Sequence, residues 1–228
     1  MKRKFDPAVL ELMDRPQPLT RELERDLANI RSLNRRFGSY RQVRHFLRRW
    51  LRPNEKARIL DVSTGSGDIP RLIVDFARSG NVSVQVDAID QQASTIEIAR
   101  RLSSDYPEIE FSCANLFAWK PSQPYDIVLC SLTLHHFSED DAVRVLQKCR
   151  EFTREHALVA DLRRSLWLTL GVYLVTATVY HEAMTKTDAR LSAARAFSFA
   201  ELRELARRAS WKNFGHRKFP VGRQVIWL

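Results

Sequence analysis

The residues with the clearest chemical potential in this sequence surround two glycines. The segment from Ile59 to Pro70 reads ILDVSTGSGDIP, an apolar strand pattern followed by Gly65, Gly67 and a proline suited to a first helical turn. Glycines at such a turn let the backbone approach a ligand and direct the first N–H groups of the helix at it. A second strand pattern ends at Asp90, whose carboxylate can accept hydrogen bonds from both hydroxyls of a ribose. We therefore predict a nucleoside site.

The residues around these glycines favour a cationic nucleoside over a dinucleotide. A dinucleotide fingerprint has a third glycine where this chain has Pro70, and the carboxylate of Asp61 would face a pyrophosphate. The same carboxylate suits the amino group and the sulfonium-bearing methionine part of S-adenosylmethionine. NAD is therefore the less favoured ligand.

Polar side chains also follow the later strand patterns. His135 and His136 follow the fourth strand pattern, and Asp161 ends the fifth. Imidazole has the right pKa to take a proton from a phenol or an enol near neutral pH. The carboxyl ends of parallel strands share one edge of the sheet, so we expect Asp161 to orient a histidine there. We expect His136 to be the base rather than His135; alternatively, one of them only packs the loop.

The elements that position these residues follow from the apolar pattern. Strands are predicted at 58–62, 82–89, 109–113, 125–130 and 156–161, with helices at 68–79, 92–104 and 138–152 between them. This alternation indicates an α/β fold with a doubly wound, mostly parallel sheet. Helices are expected within 7–51, beginning around Val9 to Met13. After the fifth strand we expect an apolar helix at 166–180, a polar loop, a helix at 199–209 and a closing antiparallel hairpin.

Composition restricts the class of protein. The 228 residues are 44% hydrophobic and 28% charged, as in a globular domain. The net charge of +10 suggests nucleic acid, phosphates or anionic lipid as partners, or else only solvated helix faces. The three cysteines have no metal-ligand spacing, so we expect no metal site and a reducing, cytoplasmic location. The longest uncharged stretch has 17 residues, so we expect no transmembrane segment.

Taken together, these motifs resemble the class I, seven-stranded S-adenosylmethionine-dependent methyltransferases. The family's first motif, close to Asp-x-Gly-x-Gly-x-Gly, is matched by Asp61, Gly65 and Gly67, with Ser63 replacing the first glycine. The acid that ends the second strand matches Asp90. Asn115 stands where the family usually carries an aspartate for the adenine amino group, and the fourth-strand motif matches residues 125–137. More loosely, the segments 11–14, 161–164 and 195–198 resemble small-molecule enzymes related to the ubiquinone and menaquinone methylases.

The resemblance implies a seven-stranded sheet with an antiparallel last strand. It also implies a helical N-terminal cap at 1–55 and a methyltransferase domain at 56–228, with a helical lid insertion at 162–197. In the lid we expect one apolar face both to line a pocket and to dock on the helices of the sheet (Leu166, Trp167, Leu170, Tyr173, Leu174 and Ala177). The expected catalytic residues are His135, His136 and Asp161. The expected S-adenosylmethionine-binding residues are Asp61, Ser63, Thr64, Gly65, Gly67, Asp68, Asp90, Gln91, Asn115, Leu116, Cys130 and Ser131.

The expected reaction is methyl transfer to an oxygen or carbon of a mainly hydrophobic small molecule, such as a quinone, a phenol or a polyketide-like compound. An RNA methyltransferase and a non-catalytic cofactor-binding protein remain the alternatives. RNA is the less favoured partner because Leu-His-His-Phe stands after the fourth strand, where amino-methylating enzymes carry an Asn-Pro-Pro-Tyr-type motif. The oligomeric state, monomer or homodimer, stays open.

Overall fold

The computed structural model describes residues 2–180 and 182–228. In chain order its regular elements are α1 (Arg21–Arg36), α2 (Ser39–Trp50), β1 (Lys56–Val62), α3 (Asp68–Ser79), β2 (Ser83–Asp90), α4 (Ala93–Leu102), β3 (Ile109–Cys113), β4 (Tyr125–Ser131), α5 (Glu139–Phe152), β5 (Thr153–Leu162), α6 (Leu166–Thr178), α7 (Ala183–Arg195), α8 (Phe199–Arg208), β6 (Gly215–Phe219) and β7 (Arg223–Trp227). Short 3-10 turns lie at Leu12–Asp14 and Leu134–His136.

The seven strands form one sheet in the order β3-β2-β1-β4-β5-β7-β6. Strands β1 to β5 pair in parallel, and β7 runs antiparallel to both of its neighbours. The predicted doubly wound sheet with an antiparallel last strand is confirmed. The strand order reverses between β1 and β4, and ligands of such sheets bind outside the carboxyl ends of the strands at this point.

Helices cover both faces of the sheet, so its central strands are apolar on both sides. Alternating residues of β1 divide between two cores: Leu60 packs with α5 and α8, while Ile59 packs with α2 and α3. Phe46 of α2 is 1% exposed in the second core. Helix α2 is therefore packed directly on the sheet. Helix α1 packs against α4 and α2 instead.

Two predicted segments differ from the structure. The helix expected around Val9 to Met13 is only the 3-10 turn Leu12–Asp14, and Pro16 and Pro18 follow it. The polar loop expected after the apolar helix contains α7. Most of the residues that α7 buries are polar, including Thr185, Asp188 and Ser192. They hydrogen-bond to α1 and to the N-terminal segment, so α7 lacks the apolar stripe by which an amphipathic helix is recognised.

Two surfaces of the molecule bear on its composition. Most of the arginines on α1 and α2 have exposed side chains, which a solvated helix face and a surface for an acidic partner both require (Arg35, Arg36, Arg41, Arg44, Arg48 and Arg49). Helix α6 exposes several large apolar side chains (Leu166, Trp167, Leu170, Tyr173 and Leu174). Across residues 2–180 and 182–228, no helix combines the length and apolar character needed to cross a bilayer.

Candidate active site

A cavity of about 780 Å³ lies at the carboxyl ends of β1, β2, β4 and β5. This volume is within the range of small-molecule and cofactor sites. Its wall is formed by the β1–α3 turn, the N-terminal segment, α1, the loop after β4, α6 and α7. The predicted site residues on this wall are Asp61, Ser63, Thr64, Gly65, Asp68, Asp90, Gln91, Asn115, Leu116, Ser131, His135 and His136.

The β1–α3 turn has the backbone that its glycines predict. Ser63, Gly65 and Gly67 have φ angles of 56°, 55° and 73°, in the left-handed region that favours glycine. A Cβ on Gly67 would lie 2.7 Å from the Phe111 ring, so this glycine is required for packing. A Cβ on Gly65 would meet no atom within 4 Å. Gly65 therefore leaves open space on the cavity wall, where a ligand can approach the backbone.

Asp90 connects this turn to the end of β2. One of its carboxylate oxygens accepts a hydrogen bond from the Gly65 N–H at 3.0 Å, and the other accepts from the Gln92 N–H at 3.0 Å. Burial raises the pKa of Asp90. The carboxylate is thus held in place by two backbone groups. Its remaining lone pairs are available to ligand hydroxyls.

Asp61 is a buried carboxylate at the start of the turn. Burial, together with the nearby carboxylates of Asp68 and Asp90, raises its pKa to about 8. Within the described part of the chain Asp61 forms no ion pair. A cationic group in the cavity would favour its ionised form. Asp61 thus has the electrostatics expected of a site for an amino group or a sulfonium.

Helices α1 and α2 contact the turn through a chain of hydrogen bonds. Asn34 donates to the carboxylate of Asp68 at 3.0 Å, and Ser39 donates to the side-chain oxygen of Asn34 at 3.2 Å. All three side chains are buried and lie on the cavity wall. The N-terminal helices therefore support the β1–α3 turn directly.

Three of the predicted cofactor-binding residues have other contacts or lie off the cavity wall. The Asn115 side-chain oxygen, expected to meet an adenine amino group, accepts a hydrogen bond from the Phe117 N–H at 2.8 Å. Gly67 lies against Phe111 and is not on the cavity wall. Cys130 is buried in the core beside Cys149 and is also absent from the wall, because its side chain points to the face of the sheet covered by α5. Ser131, one residue later, does line the cavity.

The expected pairing of Asp161 with a histidine is present, and the partner is His135. Nδ1 of His135 lies 2.6 Å from one carboxylate oxygen of Asp161, and the other oxygen accepts from the His135 backbone N–H at 2.9 Å. Burial alone would raise the pKa of Asp161, but the His135 ring and the Leu162 N–H lower it. His135 is 3% exposed, so its ring is held in one orientation at the cavity wall.

His136 has partners that the sequence reasoning missed. Its Nδ1 lies 2.6 Å from a carboxylate oxygen of Asp14, and its Nε2 lies 3.8 Å from Glu11. Burial alone would lower the pKa of His136, but Glu11 and Asp14 outweigh it and raise the pKa to about 9. At neutral pH this favours the protonated ring, which disagrees with the expectation that His136, rather than His135, accepts the proton. The two imidazole rings are 4.4 Å apart between centroids.

The N-terminal segment that carries these carboxylates is fastened to α7. Ser192 donates to Glu11 at 2.9 Å, and Asp188 accepts from the Leu12 and Met13 N–H groups at 2.8 and 3.0 Å. The segment 11–14 contributed to the loose family resemblance. Nothing in its spacing indicated that it reaches His136, because the two are far apart along the chain.

A group of potential metal ligands lies beside the histidine pair. One potential ligand atom each from Glu11, His135 and His136 lies within 4.8 Å of the other two. Cysteine spacing could not reveal this cluster. Its members come from the N-terminal segment and from the loop after β4.

Helix α6 lines the cavity with a different face from the one predicted. Leu168, Gly171, Val172 and Val175 are on the wall. Of the predicted face only Trp167 reaches the wall, and its side chain is 83% exposed. The helix has no charged residue on any face, so apolar periodicity could not distinguish the inner face from the outer one.

Comparisons with known proteins agree with this geometry. A family described as "Methyltransferase domain" matches residues 59–156. A putative O-methyltransferase from Nostoc punctiforme PCC 73102 superposes with a TM-score of 0.60 at 17% identity, over 83% of this chain and 56% of that chain. The chain thus spans little more than half the length of that protein. No curated protein sequence matches the chain.

Two further solved structures have the same fold. The plantazolicin methyltransferase BpumL in complex with SAH has a TM-score of 0.65 at 12% identity, over 90% of this chain and 88% of that chain. The citrinin polyketide synthase CMeT domain has a TM-score of 0.61 at 12% identity, over 83% of this chain and 50% of that chain. Residues 59–156, a little under half of the chain, thus match a methyltransferase domain family, and the sheet has the same fold as these methyltransferases.

Proposed function

We propose that the protein transfers a methyl group from S-adenosylmethionine to an oxygen or carbon of a mainly hydrophobic small molecule of quinone, phenol or polyketide-like type. One observation carries this proposal. A single cavity extends from the glycine turn and Asp90 to the histidine pair and the apolar wall of α6. A donor bound at one end and an acceptor at the other would meet inside it.

In this proposal the cofactor occupies the end formed by the β1–α3 turn. Asp90 accepts hydrogen bonds from the ribose hydroxyls, and Asp61 pairs with the amino group of the methionine part. The backbone at Gly65 approaches the methionine part, where the cavity has open space. Asn115 and Leu116 lie at the adenine end and Ser131 lies near the methyl group. Gly67 acts through the packing of the turn.

The acceptor occupies the end formed by α1, α6 and the histidines. Methyl transfer from a sulfonium is an in-line displacement, which requires the nucleophile to be held close to the methyl group. A hydroxyl acceptor must also lose its proton. His135, positioned by Asp161, is placed to accept that proton, and the protonated ring of His136, positioned by Asp14, favours the resulting oxyanion through its charge. The apolar side chains on the wall suit a hydrophobic acceptor (Ile30, Leu33, Leu168, Val172 and Val175).

The comparisons support an acceptor of this kind. Two proteins of the same fold are a plantazolicin methyltransferase and a domain of a polyketide synthase, as their names state. We place the reaction in the cytoplasm, where the exposed thiol of Cys113 would stay reduced. Cell fractionation checks this location.

The proposal is tested with methyl-labelled S-adenosylmethionine. The protein is incubated with a panel of apolar phenols and hydroxyquinones, and in parallel with total RNA. We expect label in the small molecules. Label in RNA, together with binding that weakens steeply with salt, would establish the RNA methyltransferase instead. Tight cofactor binding without transfer to any acceptor would identify a non-catalytic cofactor-binding protein.

A further inference from the structure

Three side chains of the kinds that bind metal ions meet at the acceptor end of the cavity. They are Glu11, His135 and His136, and one ligand atom from each lies within 4.8 Å of the other two. Nε2 of His136 is 3.8 Å from a carboxylate oxygen of Glu11. Glu11 and His135 are 2% and 3% exposed, and all three residues line the cavity. The group is therefore enclosed by protein and open towards the acceptor.

Each imidazole in this group is held by a carboxylate on its other side. Nδ1 of His135 lies 2.6 Å from Asp161, and Nδ1 of His136 lies 2.6 Å from Asp14. Metal-binding histidines almost always donate their second ring N–H to such a partner, which orients the ring and leaves the other nitrogen as a ligand. Here both Nδ1 atoms are engaged, so Nε2 is the available ligand atom on each ring.

The third ligand is held in the same way. Ser192 of α7 donates to Glu11 at 2.9 Å, and a guanidinium nitrogen of Arg195 lies 4.0 Å from the same carboxylate. All three side chains are thus positioned by residues behind them. Ligand atoms around a tetrahedral zinc ion lie roughly 3.4 Å apart, as follows from Zn–N distances of about 2.0–2.1 Å. The ligand atoms of the present group lie within 4.8 Å of one another and would close to that spacing around an ion.

We propose that Glu11, His135 and His136 bind one divalent transition-metal ion, and that zinc fits them best. Two imidazoles and a carboxylate form a ligand set that zinc binds in catalytic sites, with a further position open. Magnesium prefers oxygen ligands in octahedral geometry, so this set disfavours it. The inference rests on the proposed function, because the open position faces the space assigned to the acceptor.

An acceptor hydroxyl oxygen on that open position would become a stronger acid. Its proton leaves to solvent, and the bound oxyanion then attacks the methyl carbon of the sulfonium. The new C–O bond forms as the C–S bond breaks, and the electron pair of that bond stays on sulfur. The products are the methyl ether and S-adenosylhomocysteine. The metal ion is neither consumed nor oxidised.

The first test measures metal binding without any acceptor. The protein is stripped with a chelator, dialysed and titrated with Zn²⁺ in competition with a chromophoric chelator. Parallel titrations use Co²⁺, followed by its visible absorption, and Mg²⁺, followed by calorimetry. We expect one Zn²⁺ per chain, a four- or five-coordinate Co²⁺ spectrum and no Mg²⁺ binding. Failure of the unmutated protein to bind Zn²⁺ stoichiometrically would overturn the inference, and no variant is needed for that result.

The second test assigns the ligands. Glu11→Gln and His136→Asn should abolish stoichiometric Zn²⁺ binding. Asp14→Asn and Asp161→Asn should weaken it about 10–100-fold, the usual cost of removing a residue that orients a ligand. Glu97→Gln on the exposed face of α4 is the matched control and should bind as the parent does. Parental affinity for S-adenosylmethionine identifies the variants that are folded. Unchanged Zn²⁺ affinity in folded Glu11 and His136 variants would overturn the assignment.

The two proposals fail in different ways. Methyl transfer at the parental rate in the stripped protein, with chelator present, would overturn the metal inference and leave the proposed function intact. Stoichiometric Zn²⁺ binding without methyl transfer to any small molecule would support the metal site and contradict the proposed function.

Discussion

The two ends of the cavity are built in different ways. The cofactor end is mainly backbone: a turn of a few residues after β1, held by one carboxylate 25 positions later. The acceptor end is mainly side chains from distant segments. Asp14 and His136 are 122 positions apart, and Glu11 and Ser192 are 181 apart. A site made of backbone keeps its conformation only where residues such as glycine allow it, whereas a site made of side chains changes its chemistry with each substitution. The first suits a common cofactor and the second a particular acceptor.

The largest expected effect lies at the acceptor end. His135→Ala should lower the turnover number by about 10²–10⁴-fold, the range for losing a group that promotes proton transfer. The cofactor affinity should stay unchanged, because His135 does not belong to the turn. The turnover number and the cofactor affinity are measured by initial rates and by calorimetry. His45→Ala, at an exposed histidine of α2, is the control. A parental rate in the His135 variant would show that His135 only packs the loop after β4.

The next effect lies at the cofactor end. Asp90→Ala should weaken cofactor binding by about 1.5–3 kcal/mol for each charge-assisted hydrogen bond that is lost. Asn115→Ala should cost less, about 0.5–1.5 kcal/mol, because its contact is neutral and its oxygen already accepts from Phe117. Calorimetric titration with S-adenosylmethionine measures both losses. A larger loss for Asn115 than for Asp90 would contradict the assignment of the ribose.

A third prediction concerns the pH dependence of stability. The pKa of Asp61 is about 8 in the folded protein against a reference value of 3.8, so the folded state retains a proton that the unfolded chain releases. This group therefore makes the free energy of unfolding of the cofactor-free protein fall as pH rises from about 4 to 8. Asp61→Asn should reduce that fall and also weaken cofactor binding.

Urea unfolding of the parent and the Asp61 variant at pH 5 and pH 8 measures this difference. An equal loss of stability in both proteins over this range would show that the pKa of Asp61 is not raised in the folded protein. The control is the isosteric substitution Asp75→Asn on α3. The Asp75 carboxylate accepts a hydrogen bond from the Tyr106 hydroxyl at the surface.

The smallest expected effect is dynamic. If residues 162–197 act as a lid, amide hydrogen exchange in α6 and α7 should slow when an acceptor is added to the cofactor-bound protein. The cofactor alone should protect mainly the β1–α3 turn. Protection of α6 and α7 that is the same in every state would identify this segment as ordinary core. Amides of β4 in the sheet centre provide the unresponsive reference.

Much of the cofactor end could be predicted from the sequence. The strands β1 to β5 coincide with apolar runs of the sequence. The glycine turn follows the first of these strands, and Asp90 ends the second. The pairing of Asp161 with one of the two histidines could also be predicted, because these residues follow the carboxyl ends of adjacent parallel strands, but the sequence favoured His136 where the structure has His135. These features depend on local pattern and sheet topology, which the chain displays directly.

The rest depends on side chains that pair across the fold. Helix α7 was expected to be a loop because polar side chains fill its buried positions. The contacts of Glu11 and Asp14 with His136 follow only once α7 has fixed the N-terminal segment. The inner face of α6 could not be chosen because every face of this helix is apolar or uncharged. Such pairings are determined by packing between distant segments, and the apolar periodicity of the sequence does not indicate them.

The most direct test of the division of the cavity into a cofactor end and an acceptor end is a single-turnover experiment. The rate of labelled methyl transfer is measured against cofactor concentration in Asp90→Ala and His135→Ala. If one end binds the donor and the other activates the acceptor, raising the cofactor concentration should restore the rate of the Asp90 variant towards that of the parent. The His135 variant should stay slow at every concentration. Rescue of the His135 variant, or an Asp90 variant that stays slow at saturating cofactor, would contradict the account.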